Sequence, residues 1–376
     1  MARLNLTHAL LVLPALVAAG CSCNQDYSFP DGQVVDPDPE PPNYGSWLSM
    51  SAAPDGERLT ITYYDREQTG IGFAVGTPQS DGSIEWVHER VDGYPEDDGL
   101  DRGDRGKYTA HAVAPDGRVW AAYQDSDNGA LRYGVREGPG VWTTDLVDTG
   151  AGISRTNAGN WVSMALTDAG TPIVAHHDDE AGTLRVSWWE NDAWTSEVAY
   201  GGSDDAGEYA SIAYHDGTAY IAFYDAVNGN LGLVEGTPGN WQFSEVDITG
   251  DVGQWPSVFA DENGVSIAYQ DVSNQDLKFA SRQGGSWAIE TVDSGEFRGA
   301  DTDLFTLGGN PAIVYFDGQD NDMWLATNDG AGWGTRKIGG DNGAVGFHNE
   351  VARVGGTLYA GSYDFTAASL FITSIE

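Results

Sequence analysis

The chain has 376 residues and a formal net charge of −39 at pH 7, from 18 basic and 57 acidic residues. This acidity, without any basic run, excludes the electrostatic footprint that binding to nucleic acid or anionic lipid requires. Solubility of an exported domain explains the charge, and divalent-cation binding is the alternative. Cys21 and Cys23 are the two cysteines and lie too close for an easy disulfide, so packing alone must hold the fold.

The first twenty residues predict an export signal. Arg3 is their one basic residue, an apolar run covers residues 9–19, and small residues precede Cys21. The stretch VAAGCS, residues 17–22, resembles the lipobox of bacterial lipoproteins. The resemblance implies a signal peptide over 1–20, a lipid on Cys21 that anchors the protein in a membrane, and, because Ser22 follows, the outer membrane of the cell envelope. The alternative is an ordinary secretory signal.

A spacer and one large domain follow. The segment DPDPEPPNYG, residues 36–45, alternates Pro with acids and predicts an extended, solvated tether. The organisation predicted is therefore a signal peptide at 1–20, the lipidated Cys and tether at 21–44, and a folded domain at 45–376.

A short phrase that ends in Asp recurs along this domain. Its seven Asp residues are spaced 46 to 60 residues apart: Asp65, Asp125, Asp178, Asp225, Asp271, Asp317 and Asp364. Six residues after each Asp stands an apolar side chain: Ile71, Leu131, Leu184, Leu231, Leu277, Met323 and Leu370. A Trp ends each of the first six units: Trp86, Trp142, Trp194, Trp241, Trp287 and Trp333. Three landmarks in phase over seven units indicate a true repeat.

Each unit predicts four short strands with Gly-rich turns, and no segment has a helical period over three turns. Units of this length are typical of an all-β, seven-bladed β-propeller of four-stranded blades. The pattern small-x-Ala, Asp-Gly, Tyr-x-Asp, Leu and Gly-x-Trp resembles the bacterial propellers grouped with sialidase-like repeat proteins and seven-bladed propeller lectins. The complete Asp-box of sialidases is absent, and SDGSIEW at 80–86 only approaches it.

The last unit ends after its third strand, at residues 369–376. Residues 27–35 are predicted to complete this blade and close the ring. In the alternative, the last blade has three strands and residues 27–35 belong to the tether.

The repeated Asp has two interpretations. A carboxylate at the end of a strand accepts hydrogen bonds from turn N–H groups, and this explains all seven positions. The alternative is Ca²⁺, the one cofactor considered, because oxygens cluster at Asp317, Asp320 and Asp322 and at Asp125 and Asp127.

A second recurrence opens the first strand of each unit, 16 to 18 residues before the Asp. Its aromatic members are Trp47, Tyr108, Trp161, Tyr209, Trp255 and Phe347. They are predicted near the central channel, on the same face as the Tyr-x-Asp ends. Rings beside carboxylates and hydroxyls suit sugar recognition, and packing between blades is the alternative.

Unit six breaks this pattern with Asp301 and Asp303, and unit seven adds His348 and Glu350. These four are the candidate catalytic residues, because paired carboxylates can divide acid and base roles when their pKa values differ.

Three functions compete. The first is an exported, membrane-anchored module that binds a glycan, peptide or protein, with carbohydrate favoured. The second is a sialidase-like glycoside hydrolase or lyase with its acids at blades six and seven. The third is a structural protein of the cell envelope without a small ligand.

Overall fold

The computed structural model describes residues 32–35, 43–94, 103–150, 157–201, 205–341 and 343–375. The predicted signal peptide, Cys21 and most of the predicted tether lie outside these residues. In the part of the chain described, no helix is long and apolar enough to cross a membrane.

Seven four-stranded antiparallel sheets form the blades of a β-propeller, which confirms the predicted fold class. Blades one to three are β2 (Tyr44–Ala52), β3 (Leu59–Asp65), β4 (Gly70–Pro78) and β5 (Ile84–Asp92); β6 (Arg105–Val113), β7 (Val119–Asp125), β8 (Ala130–Gly138) and β9 (Val141–Asp148); and β10 (Ala158–Leu166), β11 (Pro172–Asp178), β12 (Thr183–Glu190) and β13 (Ala193–Tyr200). Blades four and five are β14 (Ala206–His215), β15 (Thr218–Asp225), β16 (Asn230–Thr237) and β17 (Asn240–Asp247); and β18 (Val252–Asp261), β19 (Gly264–Asp271), β20 (Asp276–Gln283) and β21 (Ser286–Asp293). Blade six is β22 (Arg298–Leu307), β23 (Asn310–Asp317), β24 (Asp322–Asn328) and β25 (Trp333–Gly339), and blade seven joins β26 (Phe347–Val354), β27 (Thr357–Asp364) and β28 (Ser369–Ile375) to β1 (Gly32–Val35).

The strand β1 is the N-terminal segment of the described chain. It pairs antiparallel with β28, with Val34 opposite Phe371 and Val35 opposite Leu370. Blade seven therefore has four strands, and the two ends of the domain meet in one sheet.

Burial differs between the strands of a blade because the blades stack face to face. Every residue of β3, β7 and β11, each the second strand of its blade, is buried. In the outermost strands, such as β5 and β9, exposed residues are interspersed with buried or half-buried ones. The core consequently lies between blades, as where Ile173 and Leu184 of blade three pack with Ile221 and Phe223 of blade four.

The Trp that ends each unit lies on the outermost strand. Its indole N–H donates to a Glu of the preceding blade in three cases: Trp142 to Glu89 at 3.0 Å, Trp241 to Glu197 at 2.8 Å and Trp333 to Glu290 at 3.1 Å. In these pairs the repeated Trp links neighbouring blades at their outer edge.

The seven repeated Asp residues are all buried and end the second strand of each blade. Each accepts at least one backbone N–H from the turn that follows, as in the 3.0 Å bonds from Glu67 and Gln68 to Asp65 and the 2.9 Å bond from Asn274 to Asp271. Comparable bonds occur at Asp125, Asp178, Asp225, Asp317 and Asp364. The turn interpretation accounts for the whole set.

Candidate functional site: the central channel

The first strand of each blade faces the central channel and contains one non-glycine residue in the left-handed conformation. The set comprises Trp47, Tyr108, Trp161, Tyr209, Trp255, Asp301 and His348, with φ between 47° and 55°. The pairing register with the second strand shifts around this residue, for example between Ser46 and Ser49. A β-bulge of this kind re-aims a side chain, and seven equivalent bulges present one side chain per blade to the channel. We call these seven residues the collar.

The sequence predicts Phe347 as the sixth aromatic of the series, in unit seven, and the structure corrects this placement by one residue. His348 has the left-handed conformation, while the Phe347 ring packs against Phe316 with ring centroids 4.4 Å apart. A Gly with positive φ stands two residues before every collar residue, and Gly346 therefore identifies His348. That spacing is present in the sequence and could have fixed the register.

The five aromatic collar residues contact one another in sequence around the channel. Ring centroids are 5.1 Å apart for Trp47 and Tyr108, 4.9 Å for Tyr108 and Trp161, 4.0 Å for Trp161 and Tyr209, and 4.4 Å for Tyr209 and Trp255. His348 continues the series, 5.6 Å from Trp47. Asp301 completes it between Trp255 and His348, and its Oδ1 lies 3.6 Å from Nδ1 of His348.

A second ring, two residues further along each first strand, lies behind the collar. We call it the inner ring: Ser49, Ala110, Ser163, Ser211, Ser257, Asp303 and Glu350. Its side-chain oxygens accept backbone N–H groups of the next blade, such as His111 to Ser49 at 3.2 Å, Leu304 to Ser257 at 2.9 Å and Val351 to Asp303 at 2.6 Å. Glu350 accepts the N–H of Met50 in blade one. Asp303 and Glu350 thus accept a backbone N–H of the next blade, as the serines of the inner ring do.

The collar and inner ring enclose one cavity of about 340 Å³. Its lining includes Asp301, Asp303, His348 and Glu350, so the four predicted catalytic candidates lie together. No Lys or Arg is among the described residues that line it. The volume lies at the low end of the range of small-molecule sites.

The channel acids are perturbed because they are withdrawn from water without a basic partner. Burial raises the pKa of Asp301 to about 7 and that of Asp303 to about 6. Burial, and then the charge of Asp303, raises the pKa of Glu350 well above its ordinary value. Burial also lowers the pKa of His348 to about 4, so this imidazole is neutral at pH 7. The site therefore combines carboxyls whose pKa values lie above the ordinary range with an imidazole that is neutral at pH 7.

Replacing Asp303 with Asn is expected to stabilise the protein by about 3 kcal/mol at pH 7, since a pKa unit corresponds to about 1.4 kcal/mol. The Asp303 pKa rises from an ordinary 3.8 to about 6, so native stability falls as pH increases through this window. Asn keeps an acceptor for the Val351 N–H and cannot ionise. Denaturant unfolding at pH 4, 5, 6, 7 and 8 measures the difference, with the exposed Asp168→Asn as control. Equal pH profiles for the native protein and Asp303→Asn would contradict the assignment.

The predicted cation sites are occupied by the protein's own groups. Asp125 Oδ2 lies 3.2 Å from Nε of Arg105, Asp317 pairs with Arg298, and Asp322 Oδ2 lies 2.9 Å from Nζ of Lys337. Asp127 accepts the N–H of Asp104 at 3.1 Å. Asp320 is exposed. Across the described ranges, no group of three or more His, Cys, Asp or Glu residues is arranged to hold a metal ion. Most of these carboxylates therefore form ion pairs with Lys or Arg or accept backbone N–H groups.

Sequence reasoning did not identify the buried polar contacts between blades. Tyr123, Tyr269 and Tyr315, each from a Tyr-x-Asp phrase, donate to an Asp that ends the preceding blade: Asp92, Asp247 and Asp293, at 2.6, 2.8 and 2.5 Å. These pairs account for the Tyr in three of the seven phrases, and they hold blades together on the collar face.

No protein-family model matches the sequence, and no curated protein matches it. Among solved structures, the polysaccharide lyase Uly1 is similar over 85% of this chain and 88% of that chain, with a TM-score of 0.53 and 11% identity. The fucose-specific lectin from Aleuria aurantia is similar over 78% and 94%, with a TM-score of 0.47 and 13% identity. The leech intramolecular trans-sialidase is similar over 89% and 68%, with a TM-score of 0.45 and 11% identity. At such identities the similarity concerns the fold.

Proposed function

We propose that this propeller is a carbohydrate-binding module whose site is the collar mouth of the central channel. One observation carries the proposal: five half-buried aromatic rings, a carboxyl and an imidazole surround a single cavity. Each aromatic is itself in the left-handed conformation, which costs conformational energy that packing between blades alone does not require.

The chemistry of the collar suits a sugar. An aromatic face packs against the C–H face of a sugar ring, while fixed acceptors orient its hydroxyls. Asp301 supplies such an acceptor when ionised, and its side chain is 9% exposed. A cavity of about 340 Å³ suits a short saccharide segment rather than a long chain.

The site is single and asymmetric. The five aromatics belong to blades one to five, and Asp301 and His348 belong to blades six and seven. This arrangement supports one ligand on the channel axis, whereas seven equivalent pockets between blades would support multivalent binding.

A glycan-array screen of the purified mature protein, followed by titration of the best ligand, tests the proposal. Trp161→Ala and Trp255→Ala are expected to weaken binding at least tenfold, which corresponds to about 1.4 kcal/mol, because each removes a ring from the collar. Trp287→Ala, on the outermost strand of blade five, is the matched control and is expected to bind normally. Binding unchanged in both collar variants would contradict the proposal.

A hydrolase or lyase is the second candidate, favoured by the raised pKa values of Asp301 and Asp303. Asp301 would act as the general acid, because burial keeps a proton on it near pH 7. Without Lys or Arg in the described lining, a sialidase-type site for a carboxylate sugar is disfavoured. Any detected glycan cleavage should fall at least a hundredfold in Asp301→Asn, and unchanged cleavage in a folded variant would reject this role.

The cellular placement that we propose is export, lipidation at Cys21 and display of the propeller from the outer membrane by the acidic tether. It is supported by the lipobox-like residues 17–22 and the Pro-rich segment 36–45. The Cys21→Ser variant should lose incorporation of labelled fatty acid and pass from the membrane to the soluble fraction. Incorporation retained in that variant would contradict the anchor.

A further inference from the structure

We infer that the ligand of the central channel carries a positively charged ammonium group, and that within the proposed carbohydrate function it is an amino sugar with a free amine. The inference rests on the proposed function and names the chemical class of its ligand. Its first basis is the charge of the cavity, which has three carboxyl groups and, in the described lining, no Lys or Arg.

These acids differ from several other acids of the fold that are buried or nearly buried and pair with a basic side chain. Asp92 pairs with Arg105 at 2.7 Å, Asp148 with Arg185 at 2.7 Å and Asp271 with Lys278 at 2.7 Å. Among the described residues, no such partner stands beside Asp301, Asp303 or Glu350. A buried carboxylate needs a counter-charge or a proton. An ammonium group on the ligand would supply the positive charge that no Lys or Arg provides beside these acids.

Two buried oxygens of the cavity lining also lack a donor. Asn349 is 6% exposed, and its Oδ1 has no hydrogen-bond partner while its amide donates to the Asp301 carbonyl at 2.9 Å. Thr109 is 5% exposed, and its hydroxyl has no partner either. Both residues line the cavity. An ammonium group has three donors and no acceptor, which matches a site with surplus acceptors.

The aromatic collar adds a second attraction for a cation. A positive charge within about 6 Å of an aromatic centroid interacts favourably with the ring face. The guanidinium of Arg66, which is exposed, lies 5.6 Å from the Trp47 centroid, so one collar ring already holds a cation at the rim. Trp161 and Trp255, with ring centroids 5.9 Å apart, offer further ring area in the collar. The collar and the acids therefore favour the same charge.

The ionisable groups that surround the site are few. Asp301 is flanked by His348 on the collar, Tyr108 and Tyr209 lie near Glu208, and Arg66 acts on His348 from the rim. In the inner ring, the charge of Asp303 acts on the carboxyl of Glu350. His111 is the other ionisable residue that lines this part of the cavity. A cation that binds beside the acids favours their ionised form, so binding must release protons. A neutral sugar causes no comparable release.

Isothermal titration of the mature protein with three matched disaccharides tests the inference. The ligands are the dimer of glucosamine, the dimer of N-acetylglucosamine and cellobiose, which differ at the 2-position. We expect at least tenfold tighter binding of the amine, with proton release shown by titration in buffers of different ionisation enthalpy, and an affinity that increases from pH 5 to pH 7. Asp301→Asn should reduce the preference for the amine at least fivefold, with Glu350→Gln as a second variant and the surface variant Asp116→Asn as control.

Each outcome separates this inference from the proposed function. Equal or tighter binding of the neutral disaccharides would overturn the inference and leave carbohydrate binding in place. Binding of choline, the non-sugar probe, without binding of any disaccharide would support the cationic site and overturn the assignment of an amino sugar. Binding of none of the four would overturn the inference, and the glycan array would then decide the carbohydrate proposal separately.

Discussion

Replacing Asp148 with Asn is expected to lower the free energy of unfolding by about 3 kcal/mol at pH 7, because it removes one partner of a buried ion pair. Asp148 ends the last strand of blade two and is 8% exposed. Its Oδ2 accepts Nε of Arg185 at 2.7 Å and lies 3.5 Å from Nε2 of His176, both in blade three. The variant leaves the guanidinium of Arg185, which is 7% exposed, without this counter-charge.

The effect has a defined pH dependence. Burial acts to raise the pKa of Asp148, but the hydrogen bonds from His176 and Arg185 outweigh it and hold the pKa well below its usual range. The stabilisation is therefore complete above about pH 4, the ordinary carboxyl range, and is lost as pH falls towards the lower folded-state pKa. The native protein and the variant should converge in acid.

Denaturant unfolding at several pH values measures this difference. The control is Asp116→Asn, which removes the surface pair with Arg118, where both side chains are about half exposed, and should cost less than about 1 kcal/mol. Equal losses in the two variants at pH 7 would show that the blade-two contact does not stabilise the fold.

Gly253→Ala is also expected to cost about 3 kcal/mol, from a steric conflict between blades four and five. Gly253 has φ +104°, and a Cβ placed there would lie 2.7 Å from Cα of Leu231 and 2.8 Å from its Cβ. Leu231 is the apolar landmark of unit four and has no exposed surface. Because the contact includes backbone, a change of rotamer cannot relieve it.

The comparison variant is Gly239→Ala. Gly239 also has positive φ, +78°, but a Cβ there would meet nothing within 4 Å. This variant reports the backbone cost alone, about 1 kcal/mol. Equal thermal and denaturant stability in the two variants would reject the close approach of the blades.

The seven blades could be predicted from the sequence because three landmarks repeat in phase, and the structure gives each landmark a cause. The repeated Asp accepts turn N–H groups, the Trp links outer strands in the pairs described, and Leu231 packs on the Gly of the next blade. These are local or nearest-neighbour contacts, which recur from unit to unit and therefore leave a periodic signal.

The geometry of the site could be predicted only in part. The aromatic series and the break at Asp301 and Asp303 are visible in the sequence, but the collar residue itself varies in type, and only the Gly two residues before it marks the β-bulge. The register error at Phe347 follows from this, because an aromatic search selects the ring rather than the left-handed His348. Glu350 stands where most other blades have a serine, and its longer side chain accepts the N–H of Met50. This role is visible only in the structure.

The buried ion pairs between blades could not be predicted, because their members are far apart in sequence and differ from blade to blade. Asp148 with Arg185 and Asp247 with Lys278 are examples. The repeated residues determine the architecture. The negative charge of the channel comes from blades six and seven, where acids replace the aromatic and serine residues of the other blades.

The most direct test of the central claim is a crystal structure of the protein bound to the best saccharide from the array. We predict one saccharide on the channel axis, with a ring packed on Trp161 or Trp255 and a polar group within hydrogen-bond distance of Asp301. Saccharides bound between blades at the outer surface, with an empty collar, would contradict the account.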